Sequence, residues 1–214
     1  MKRTLFLFLV FAFVGIGEST AQRIPDLSDV DVGVRGGLGA ATLQSGDLDD
    51  AGRRLGVAIG GFARVDLTRR VGLQPELLFV QKGARIEHEG VERVHKAAYL
   101  QLPVLATYAI PVEGPLLPYV AAGPAASLRV GEGLELVLDG TSESISGEDV
   151  DLFRRTDAGL VLAGGVGFDV APDYRLLLDA RYDFGLVDVV TGTFGETVSA
   201  RTSTLVVSLG VLFL

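Results

Sequence analysis

Eight charged residues stand at alternate positions of otherwise apolar or glycine-rich segments: Arg35, Arg64, Asp66, Glu76, Lys82, Asp179, Arg181 and Asp183. Alternation with a period of two puts such residues on one face of a β-strand and their apolar neighbours on the other. A face of opposed charges supports two chemistries, a polar pathway for a small solute or a closed network of ion pairs. Buried charges persist only when paired, and an eight-stranded barrel is just wide enough for side chains. The expectation is therefore a structural ion-pair network filling a lumen, with Glu76, Arg35 and Arg64 from adjacent strands paired near mid-depth.

Other reactive groups are sparse. The two histidines, His88 and His95, stand near Glu87, Glu89 and Glu92 in a polar stretch read as a loop. Their spacing is not that of a zinc-binding H-E-x-x-H helix. Asp47, Asp49 and Asp50 follow Gly46, and Glu132, Glu135, Asp139, Glu143, Glu148, Asp149 and Asp151 crowd a later stretch. Neither group has the spacing of an EF-hand, so both read as solvated acidic loops. Calcium or magnesium could bridge the second to anionic headgroups, but no metal or cofactor site is assigned. Gly37-Leu38-Gly39-Ala40-Ala41 imitates part of a dinucleotide fingerprint, yet no helical period follows it, and that motif needs a helix N-terminus. Ser127 is the nearest strand serine to the histidine loop, too little for a nucleophile, base and oxyanion site. No catalytic residue is assigned.

The elements that would position the charges share one pattern. In the first candidate strand Val30, Val32, Val34, Leu38 and Ala40 oppose Asp31, Gly33, Arg35, Gly37 and Gly39. In the second, Leu55, Val57, Ile59, Ala63, Val65 and Leu67 oppose Gly56, Ala58, Gly60, Phe62, Arg64 and Asp66. The third sets Val71, Leu73, Leu77 and Phe79 against Gln74, Glu76 and Lys82. The seventh sets Leu176, Leu178, Ala180, Tyr182 and Phe184 against Asp179, Arg181 and Asp183. Eight such strands of roughly 10–13 residues suit tilted bilayer crossing.

Connectors alternate in length. Long polar ones (residues 44–54, 84–95, 131–156 and 187–201) take turns with tight ones (68–70, 110–117 and 171–174). An even-stranded outer-membrane barrel needs that asymmetry, with short periplasmic turns and longer outside loops. In such a barrel Tyr108, Tyr119, Phe168, Tyr174 and Phe213 are expected at the periplasmic rim. Phe79, Tyr99, Tyr182 and Phe184 are expected at the outer rim. Aromatic belts form where amphipathic rings meet headgroups.

Targeting and composition agree. Residues 1–21 read as a cleaved signal peptide, with Lys2 and Arg3, an apolar core at 5–16, and Ser19-Thr20-Ala21 as the cleavage site. Residues 22–29 form a short lead and 30–214 one barrel domain. Cysteine is absent, which rules out disulfides and a lipidated N-terminal Cys. The net charge of −8 argues against nucleic acid as a partner. The 28 glycines among 214 residues far exceed the usual ~7% and suit a crowded barrel interior.

Three segments carry a resemblance. Leu73-Gln74-Pro75-Glu76-Leu77-Leu78-Phe79-Val80-Gln81-Lys82-Gly83-Ala84 resembles the Gln-Pro-Glu-Leu hairpin segment of the PorT-like outer-membrane β-barrel family. Tyr99-Leu100-Gln101-Leu102-Pro103-Val104 is similar to its Tyr-Leu-Glu-Ile-Pro strand, and Pro118-Tyr119-Val120-Ala121-Ala122-Gly123-Pro124 to its Pro-Tyr strand. The similarity runs over roughly residues 30–214, with the three segments in the family's order. The chain departs in ending Phe213-Leu214 instead of on an aromatic residue. The resemblance implies an eight-stranded barrel without common catalytic residues.

The reading is an all-β chain, an eight-stranded antiparallel transmembrane up-and-down β-barrel of the outer-membrane type. It is expected to be non-enzymatic, with acidic loops outside and a structural or binding role in the cell envelope. Outer-membrane lipids and the barrel-assembly machinery are the expected partners, with an envelope protein or extracellular ligand at the loops. The alternatives are a barrel enzyme acting on lipid or peptide, and a narrow solute pore.

Overall fold

The computed structural model describes residues 30–45, 54–88, 91–138, 141–146, 156–186 and 200–214. They form β1 (Val30–Ser45), β2 (Arg54–Asp66), β3 (Val71–His88), β4 (Val91–Ala109), β5 (Leu116–Leu138), β6 (Thr141–Ser146), β7 (Thr156–Ala171), β8 (Tyr174–Gly185) and β9 (Ala200–Phe213). The strands follow the order β4-β3-β2-β1-β9-β8-β7-β5, and β4 pairs in turn with β5. Eight antiparallel strands thus close into a barrel. Closure satisfies the backbone of every barrel strand, which lipid could not do. The short β6 lies outside the ring and pairs with the far part of β5, from Gly133↔Ser146 to Leu138↔Thr141.

Strand faces follow from the alternation. In β1, Val34 and Leu38 are 54% and 69% exposed, while Gly33, Arg35 and Gly39 on the opposite face are buried. The same holds in β8, where Leu176 and Leu178 face outward and Leu177, Asp179, Arg181 and Asp183 inward. In β9, Leu205, Val207 and Leu209 face outward and Val206 and Ser208 inward. Rows of exposed Leu and Val around a barrel far exceed the apolar patch a soluble monomer tolerates. They are a surface for lipid. No helix among the described residues is long and apolar enough to cross a membrane.

The start of β1 and the end of β9 lie together, with Val32 opposite Phe213. They share that end with the tight turns after β2, β4 and β7, which marks it as periplasmic. After β2 the Oγ1 of Thr68 accepts hydrogen bonds from the amides of Arg70 and Val71 (3.2 and 2.9 Å) and fixes the turn. After β4, Gly114 has φ of 119°, a conformation that other residues adopt only with strain.

Two expected loops are in part strand. The stretch 84–95 forms a hairpin, with Ala84 opposite His95 and His88 opposite Val91. The stretch 131–156 begins as the end of β5 and turns back as β6. Antiparallel backbone pairing needs no apolar side chains, so the ladder continues past the point where the apolar alternation stops. Barrel strands run from 12 residues in β8 to 23 in β5; β2 and β8 keep the length the periodicity suggested, and the other barrel strands exceed it. Asp47, Asp49, Asp50, Asp139, Glu148, Asp149, Asp151 and the signal-peptide reading fall outside the described residues. So do the side chains of Lys82, Glu87, His88, Glu92, His95, Glu132, Glu135 and Glu143, of which only the backbone is described.

The aromatic residues split differently from expectation. Tyr108, Phe168, Tyr174 and Phe213 are exposed at the periplasmic end, where Tyr174 and Phe213 meet edge to face at 5.6 Å. Toward the other end Phe184 is exposed beside Tyr182, their centroids 4.4 Å apart. Tyr119 and Tyr99, however, are 5% and 3% exposed and point into the lumen. Both occupy inward positions, and parity overrides their value as belt residues.

Candidate functional site

The lumen is the one place where charge gathers inside the described barrel. Four side chains at its heart form a closed, alternating ring. Glu76 on β3 accepts from Arg181 on β8, Oε2 at 2.7 Å from Nη1 and Oε1 at 3.3 Å from Nη2. By barrel order β3 and β8 face each other across the lumen, so this pair spans it. Arg35 on β1 lies between, its Nη1 3.5 Å from Glu76 Oε1 and 3.4 Å from Asp179 Oδ2. Arg181 Nε completes the ring at 3.6 Å from Asp179 Oδ1. All four side chains are at most 3% exposed. Two positive and two negative charges cancel, as burial at this depth requires.

Neutral groups brace the ring, one from β3 itself and two from β5 and β9. Gln74 donates to Glu76 Oε1 at 2.7 Å. Tyr119 and Ser208 donate to the two oxygens of Asp179, at 3.0 and 2.8 Å. Phe62 lies against the Arg35 guanidinium, whose Cζ is 4.6 Å from the ring centroid, a cation–π contact. That contact matters because Nε and Nη2 of Arg35 have no hydrogen-bond partner among the described atoms. Glycine makes the room: a Cβ on Gly33 would collide with the Phe62 ring, and one on Gly165 with Asp179.

Apolar layers flank the ring. On the periplasmic side Phe62, Tyr119, Leu177 and Leu212 pack together, and on the outer side Ala58, Leu78, Val80 and Val206. The lumen is thus less uniformly polar than the sequence suggested, and Leu177 sits in a dry cluster. Beyond them, Gln101, Ser127, Asp157 and Asp183 line a cavity of about 10 Å³, room for about one water. Gln101 donates to Asp183 there at 3.1 Å.

The expected site residues therefore separate. Arg35, Glu76, Asp179 and Arg181 meet in the ring, and Asp183 lies above it with Gln101. Arg64 instead turns toward the periplasmic mouth, where its Nε donates to Asp66 Oδ1 at 3.2 Å. It was expected to pair with Glu76. Asp66 is not in the lumen at all, its side chain being 61% exposed; it is the last residue of β2, beyond the closed interior. Sequence reasoning missed Asp157, Gln101, Tyr119 and Ser208 as lumen polar groups, although each falls at an inward position by parity. No cluster of three or more His, Asp or Glu fit for a metal occurs among the described residues.

A closed eight-stranded barrel with a lipid-facing exterior and a buried ring of ion pairs defines a class, the small outer-membrane barrels. The family model described as outer membrane protein beta-barrel domain matches residues 20–191, and the chain belongs to that family. It is an outer-membrane β-barrel protein. Similar solved structures include neisserial surface protein A, 19% identical, covering 85% of this chain and 96% of that one, with a TM-score of 0.49. Ail, the attachment invasion locus protein of Yersinia pestis, is 15% identical over 86% of this chain and 99% of that one, with a TM-score of 0.45. CarO of Acinetobacter baumannii is 12% identical over 83% and 96%, with a TM-score of 0.44. No curated protein matches the chain.

Proposed function

We propose that the protein is a non-enzymatic, closed barrel that serves the envelope as a structural or binding component. The observation that carries this reading is the Arg35–Glu76–Arg181–Asp179 ring between two apolar layers. A solute would have to break several buried ion pairs at once, and separating one such pair is already costly. What remains accessible is the outside, where the β3–β4 hairpin and the β5–β6 hairpin extend the strands. Their sequence is rich in Glu, which suits a basic or cation-bridged partner, an envelope protein or an extracellular ligand. Within the family, the segments around Gln74-Pro75-Glu76 and Pro118-Tyr119 favour the PorT-like branch. The chain is exported by its signal peptide and inserted by the barrel-assembly machinery.

Purified protein in liposomes loaded with small sugars tests the reading. Swelling no faster than in protein-free liposomes is expected, and no release of fatty acid or peptide from supplied substrates. Size-dependent sugar entry would favour the solute pore instead, and turnover would favour an enzyme.

A further inference from the structure

Charge is distributed unevenly over the described periplasmic turns. The turn after β2 carries Arg69 and Arg70, while those after β4 and β7 carry Glu113 and Asp173. Both arginines are exposed, and no ion pair or side-chain hydrogen bond engages either guanidinium among the described residues. Around them Leu67 is 58% exposed, Val71 38%, Tyr108 41% and Ile110 40%, and the nearby Asp66 carboxylate is already engaged by Arg64 at 3.2 Å. Val71 is the register partner of Tyr108, and the Ala109 amide donates to the Arg70 carbonyl at 2.8 Å. The two Thr68 hydrogen bonds hold the turn itself. Two exposed guanidiniums thus extend from a fixed turn beside the exposed Leu67, Val71 and Tyr108.

We propose that this turn is a headgroup site for an anionic phospholipid of the periplasmic leaflet. The phosphodiester sits between Arg69 and Arg70, and the acyl chains descend along Leu67, Val71 and Tyr108. The guanidinium fork matches phosphate oxygens in pairs. An anionic headgroup adds a net negative charge that a zwitterionic one lacks. A free phosphate would gain only the charge contact at an exposed site, whereas a lipid also covers the apolar surround. The acidic turns elsewhere on the rim repel the same headgroup, so the site is confined to one sector.

Amide NMR of the full barrel in phosphatidylcholine bicelles, titrated with phosphatidylglycerol, tests the site. Saturable shifts are expected at the amides of Thr68, Arg69, Arg70 and Val71, and not at Asp173 or Tyr174. Arg69→Gln and Arg70→Gln should each weaken the response about fivefold, while Arg69→Lys and Arg70→Lys keep most of it. Heat-modifiable gel mobility checks that each variant is folded. Equal shifts at all three turns, shifts unaffected by the glutamine changes, or the same shifts with inorganic phosphate alone would each overturn the proposal. So would the absence of any shift in the unmodified protein.

Discussion

At the scale of single residues, Glu76 holds the most. It faces Arg35 and Arg181 together and takes a third contact from Gln74. Glu76→Ala leaves two buried guanidiniums short of a counter-charge and should cost roughly 3–5 kcal/mol, read by urea unfolding from lipid vesicles. Glu76→Ala with Arg181→Ala should cost less than the sum of the two, by roughly 0.5–3 kcal/mol, because coupled partners are not additive. The same change combined with Arg64→Ala should be additive within about 0.5 kcal/mol, since Arg64 is bound to Asp66 instead. Coupling to Arg64 equal to that with Arg181 would contradict the ring as described. Gly33→Val should destabilise as well, by roughly 1–3 kcal/mol, because the new side chain takes the space of the Phe62 ring.

At the scale of the strand, facing is what the sequence carries best. Period-two alternation assigned inward and outward sides in β1, β3 and β8 because one side must meet lipid and the other a crowded interior. It could not assign partners. Glu76 and Arg181 are 105 positions apart and meet only because their strands face each other across the barrel. Arg64 lies in the strand next to Glu76, which made it the apparent partner, yet depth along the strand sends it to the mouth. The stretch 84–95 read as a loop because its side chains are polar, although backbone pairing extends through it. Facing is testable by depth. Leu178→Arg places a charge near mid-bilayer and should cost roughly 2–4 kcal/mol, and Val170→Arg near the periplasmic rim only about 0–1 kcal/mol. Equal costs at the two positions would mean that the outward face does not lie in lipid.

At the scale of the whole molecule, one closed ring of strands presents lipid-facing Leu and Val outside and a charge-balanced ring of four side chains inside. A barrel of this kind should run faster on a gel unheated than boiled, and the mobility difference should shrink in Glu76→Ala as the ring is broken. The claim on which everything else depends is that the lumen is filled. Single-channel recording of the unmodified protein in planar bilayers measures it most directly. A filled lumen predicts a flat baseline at moderate voltage and neutral pH. Steady, ohmic channels from the unmodified protein would contradict it.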